Sequence, residues 1–131
     1  MILNFDDGYK TYEINGDPNR VIKINPADVG ILKRLQAAQD SISALQSKYN
    51  SINTPEALAE CDKDLRAIID DVFAAPVADI AFGGSNCLSL AGGSSIYENF
   101  LNAIIPIVQE TVKEESKASE KRISKYTDRV K

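Results

Sequence analysis

The residues best suited to chemistry lie in AFGGSNCLSLAGGSSIYENF, Ala81 to Phe100, where two Gly-Gly pairs, four serines and Cys87 crowd ahead of a helix start. Ser85 or Cys87 would need a general base to act as a nucleophile, and the chain contains no histidine. That removes Ser-His and Cys-His catalysis along with ordinary histidine metal sites. The GGSNC segment also places Cys87 where a Gly-x-Ser-x-Gly elbow needs its second glycine. No lysine lies between Gly83 and Ser95, so a phosphate-cradling loop lacks its cation, and the glycines miss the Gly-x-Gly-x-x-Gly spacing of dinucleotide sites. The loop therefore reads as shaped backbone, with glycines for positive φ and Ser85, Asn86, Ser89 and Ser94 for turn amides. No catalytic residue and no cofactor is expected.

A second cluster, Glu60, Asp62, Asp64, Asp70 and Asp71, raises the question of a metal. On a helix Asp62 and Asp64 stand about 200° apart. A calcium-loop alignment starting at Asp62 puts Arg66 and Ala67 at a ligand and the turn glycine, and Phe73 at the terminal glutamate. The cluster reads as a solvated face opposite an apolar stripe, and Cys61 on that stripe reads as a small core residue. No metal is expected, and both cysteines should be free thiols.

The elements that carry these residues are legible from periodicity and punctuation. Lys10 to Ile14 and Val21 to Ile24 alternate around Asn15, Gly16, Asp17 and Pro18, predicting a β-hairpin at about residues 10–24 with a six-residue connection. Tyr12 and Ile14 share one strand face, as do Ile22 and Ile24. Asn25-Pro26 predicts the start of a helix over about 26–50, along which Leu35, Ala38, Ile42, Leu45, Tyr49 and Ile52 keep heptad spacing. Thr54-Pro55 repeats the device for a helix over 55–74, with Leu58, Cys61, Leu65, Ile68 and Val72 as its stripe and Pro76 as its stop. Ser95 and Glu98 predict a capping box opening a helix over 95–112, in which Pro106 should introduce a kink.

The fold class is thus α+β and mainly helical: an N-terminal hairpin packed on an antiparallel helical pair, a Gly/Ser-rich loop and a long C-terminal helix. Residues 1–112 form one domain, as 131 residues allow. Residues 113–131 form a charged helical extension or mobile tail with Ile123, Tyr126 and Val130 at helical spacing. Residues 1–112 carry 8 basic and 15 acidic side chains, while residues 113–131 carry 7 and 4. An acidic body of this kind disfavours nucleic acid, and no run reaches a membrane span of about 20 apolar residues. The N-terminal MILNFDDGYK lacks the basic start of a signal peptide, which predicts a cytoplasmic protein.

Two stretches together, YEINGDPNRVIKINPADVGILKRL (Tyr12 to Leu35) and DIAFGGSNCLSLAGGSSIYENFLNAIIP (Asp79 to Pro106), resemble the small tail assembly chaperones of long-tailed bacteriophages and prophages. The resemblance spans about half the chain and carries no active site. It implies a nonenzymatic protein of the bacterial host cytoplasm that binds the tape-measure protein, helps recruit tail-tube protein, and is absent from the mature virion. A homo-oligomer is compatible with it. The expected interaction residues are Tyr12, Ile14, Ile22, Ile24, Phe82, Leu88, Tyr97 and Phe100, with Ile123 and Tyr126 on the tail. The alternative from the residues alone is a bacterial helical adaptor or partner-binding protein with no phage role.

Overall fold

A computed structural model describes residues 1–50 and 54–130, with side chains through Ile123. Ile52, Tyr126 and Val130 carried expectations whose side chains lie outside the described residues. The element order is β1 (Lys10–Ile14), β2 (Asp17–Ile24), α1 (Gly30–Tyr49), α2 (Pro55–Phe73), α3 (Ala78–Phe82), β3 (Leu90–Ala91), β4 (Ser94–Ser95) and α4 (Ile96–Val130). The fold is the expected α+β arrangement of hairpin, helices and long C-terminal helix.

The hairpin turn is tighter than its sequence implies. Asn15 and Gly16, at φ 53° and 75°, make a two-residue turn of the kind that matches strand twist. The surplus length goes into β2: the register jumps from Ile14↔Asp17 to Glu13↔Val21, and Pro18, Asn19 and Arg20 fill a bulge. The bulge aims Arg20 out of the ladder, where its guanidinium donates to the backbone carbonyls of Ile80 (3.2 Å) and Ala81 in α3.

Asn25 and Pro26 do not open α1. The Asn25 side chain instead accepts the Ala27 N–H in a local turn, and Asp28 accepts the Gly30 N–H, delaying the helix to Gly30. Asp28 also pairs with Arg34 at 2.6 Å, while Arg34 Nε donates to the Val72 carbonyl at 2.8 Å. The start of α1 is thereby tied to the end of α2, as antiparallel packing requires. Thr54 caps α2 as expected, accepting from Ala57 N–H. Ala74 closes the helix in the left-handed conformation at φ 51°, donating to the Asp70 and Asp71 carbonyls.

The sequence gives no sign of the short α3. It forms because Asp70, one turn from the end of α2, accepts the N–H groups of both Val77 (2.8 Å) and Ala78 (2.7 Å) and so caps the next helix. Beyond it the glycine loop folds into a second, minimal hairpin, β3 against β4, separate from the first sheet. At the start of α4, Ser95 Oγ meets the Glu98 N–H at 3.4 Å, but its hydroxyl donates to the Glu98 carboxylate, so the box is not reciprocal. Helix α4 stays helical through Pro106 and well past residue 112. Pro106 and Asn102, whose carbonyl loses its helical partner, are both exposed, so the lost bond does not fall in the core.

The core joins Ile22 and Ile24 of the hairpin to Ile31, Leu65, Ile69, Val72, Val77 and Ile104. Phe100 stands edge-on to both Phe73 (6.2 Å) and Phe82 (5.6 Å), locking α4 to α2 and α3. Ile24 is fully buried, so Ile24→Ala should lower unfolding free energy by about 2–4 kcal/mol in denaturant titration. A loss below about 1 kcal/mol would show that the hairpin is peripheral to the core.

Candidate functional site

The acidic face of α2 is only partly solvated: Glu60 and Asp71 are exposed, but Asp70 caps α3 and Asp62 holds the glycine loop. Asp62 accepts the Cys87 N–H at 2.8 Å and two contacts from Arg66 Nε, at 3.0 and 3.1 Å. Arg66 then reaches the Asp79 carboxylate (2.9 Å) and the carbonyls of Gly83 (3.0 Å) and Ser85 (2.7 Å). Its guanidinium also lies 5.6 Å from the centre of the Phe82 ring. One planar cation thus serves α2, α3 and the loop, a task suited to the fixed fork of arginine.

These contacts set the electrostatics. Burial alone would raise the Asp62 pKa, but hydrogen bonds from Cys87 and the Arg66 charge outweigh it and hold the carboxyl below its usual range. For Arg66 burial disfavours the charge, and Asp79 and Asp62 reverse the balance. Burial, reinforced by Asp62, pushes the Cys87 thiol up to about 12. Cys87 is therefore protonated at neutral pH and fully buried, and Cys61, also raised by burial, is a free core thiol as expected. Among the described residues no group of acidic or cysteine side chains is placed to hold a metal ion.

From the loop the ordering passes into α4. The Ser89 and Cys87 carbonyls accept the N–H groups of Ile96 (2.9 Å) and Tyr97 (3.0 Å), two of the donors that a helix start leaves open. The first turns of α4 then face the hairpin across a groove of about 640 Å³. Its walls include Tyr12 and Ile14 on one side and Phe100, Ile104 and Ile107 on the other, with Phe82 also contributing.

The structure brings together only part of the expected interaction set. Tyr12, Ile14, Ile22, Phe82 and Phe100 line this groove, whereas Leu88 and Tyr97 line a separate cleft of about 420 Å³ beside α1 and α2. Ile22, Ile24, Phe82 and Tyr97 are core residues, at 1%, 0%, 5% and 6% exposure, so as open contact residues they are corrected. Their apolar character reflects tertiary packing between elements that sequence periodicity treats one at a time. Tyr12, Ile14, Leu88 and Phe100 are partly buried, and Ile123 is exposed far along α4. Ile107, exposed at the groove rim, was missed because it falls just beyond Pro106. Arg66, Asp62 and Arg20 were missed as organising residues; the i,i+4 spacing of Asp62 and Arg66 was the available signal.

No known protein family, curated protein or solved structure matches the chain. No helix among the described residues is long and apolar enough to cross a membrane.

Asp62→Ala should destabilise the fold by about 1–3 kcal/mol, since it leaves the buried Cys87 N–H without its acceptor and removes one of the two carboxylates paired with Arg66. Because the folded Asp62 pKa is depressed, its contribution is present above the unfolded value of about 3.9 and lost as pH falls through the lower folded value. Thermal unfolding of wild type and Asp62→Asn at neutral and acid pH checks this. The gap between the two proteins should narrow in acid, and a gap that widened would contradict the assignment.

Proposed function

We propose that the chain is a nonenzymatic tail assembly chaperone of a long-tailed bacteriophage or prophage, which binds the tape-measure protein and helps recruit tail-tube protein in the bacterial host cytoplasm. It leaves before the virion is complete. The observation that supports this reading is a convergence. The two stretches with family resemblance, far apart in sequence, supply the opposing walls of one groove. Arg20 from the first stretch is hydrogen-bonded to Ile80 and Ala81 of the second.

A half-apolar groove beside a long, charged helix suits an elongated helical client: the groove takes apolar anchors, and the exposed residues 113–122 of α4 add polar contacts without a second core. The buried, protonated Cys87 fits a binding role better than a nucleophilic one.

Coexpression with the tape-measure protein encoded nearest to this chain tests the reading. The wild type should copurify with it, and the rim substitutions Ala103→Glu and Ile107→Glu together should weaken capture about tenfold while leaving thermal unfolding unchanged. Truncation after Val112 should weaken it further. Failure to capture a soluble, folded client would favour a helical adaptor with no phage role.

A further inference from the structure

The N-terminal segment is apolar and uncovered. Met1, Ile2, Leu3 and Phe5 have relative exposures of 128%, 86%, 84% and 73%. Its root is nonetheless fixed. Asp6 and Asp7 accept the N–H groups of Gly8 (3.0 Å) and Tyr9 (3.1 Å), and Asn25 Nδ2 donates to the Asp7 carbonyl at 3.3 Å. Gly8, at φ 79°, presses so close to Asn25 that an added Cβ would meet its side chain at 3.0 Å. The backbone is held up to residue 6, and the four large apolar side chains before it project into solvent.

We propose that Met1–Phe5 is an exchange arm, received by a second copy of this chain in its groove between the β1–β2 hairpin and α4. Three observations favour that occupant. First, the root lies at the Lys10↔Ile24 end of the hairpin, whereas the groove is lined from the turn end, by Tyr12 to Asn15 and Arg20. The chain's own arm does not line the groove. Second, the area suffices. Four large side chains expose on the order of 600 Å², and reciprocal exchange, which buries two arms and the walls they meet, reaches roughly 2,000 Å², the size of a stable interface. Third, Asp6 and Asp7 flank the arm in an acidic body, which opposes the anionic membrane surface that would otherwise suit an exposed apolar segment.

The inference does not rest on the identity of any client. It adds that the groove is covered when the protein is alone, so a ligand of the groove would compete with self-association.

Sedimentation of the full-length chain tests it, using an arm variant (Ile2→Asp, Leu3→Asp and Phe5→Asp together) and the rim variant Ile107→Glu, each checked by circular dichroism for wild-type helix content, since loss of a dimer by itself lowers the melting temperature. The wild type should dimerise, and each variant alone should dimerise at least about tenfold more weakly. An equal mixture should regain heterodimer, because the intact arm of the rim variant meets the intact groove of the arm variant. A monomeric wild type, or an arm variant that still dimerises as wild type does, would overturn the proposal. So would a rim variant with wild-type dimerisation, which would mean that the arms pack on each other or elsewhere, or a mixture without recovery.

Discussion

The Arg66 guanidinium is the constraint on which the rest of the structure hangs. It is mostly enclosed, so its burial is tolerable only because Asp62, Asp79 and two carbonyls surround it. Satisfying that cation fixes the backbone from Gly83 to Cys87 against α2. The Cys87 and Ser89 carbonyls are then positioned for the first N–H groups of α4. A single charged side chain in the middle of one helix thereby sets where another begins.

The same logic of borrowed partners recurs at smaller scale. Asp70 of α2 caps α3, Arg34 of α1 closes on the end of α2, and Arg20 of the hairpin bulge closes on α3. Each contact joins a backbone group at an element's end to a side chain from another element. These ends would otherwise leave donors or acceptors buried without partners, at a cost of about 1–3 kcal/mol apiece. Short elements such as α3, too brief to be stable alone, persist because the interactions that define them come from their neighbours.

The groove follows from this framework. Its hairpin wall is held by burial of Ile22 and Ile24 and by Arg20, and its helical wall by Phe100 set edge-on between Phe73 and Phe82. Between the two walls the apolar side chains of Tyr12, Ile14 and Ile107 remain at least partly accessible. The loop that looked most like a reactive centre is thus a structural bracket. Its serine and glycine content serves turns, and Cys87 is sealed beneath Asp62.

Local rules were enough for much of this protein. Alternation marked the hairpin, Thr54-Pro55 marked the start of α2, and three-four spacing marked most of the stripes, although Leu58 is exposed and Ile69, off the expected stripe, is buried; each signal depends on residues within one or two turns of one another. The α+β class and the core role of Cys61 came from the same signals. What the sequence alone left open was every feature whose partner is distant in the chain. The placement of the Arg20 bulge against α3, the existence of α3, and the use of Asp62 and Asp70 to hold the loop and α3 were decided by contacts between side chains and backbone of separate elements. So was the groove, since its walls lie some sixty residues or more apart and meet only when Arg20 and Arg66 have fixed the segments between them. Periodicity reports which way a side chain faces on its own element; it carries no information about which carbonyl will be waiting there.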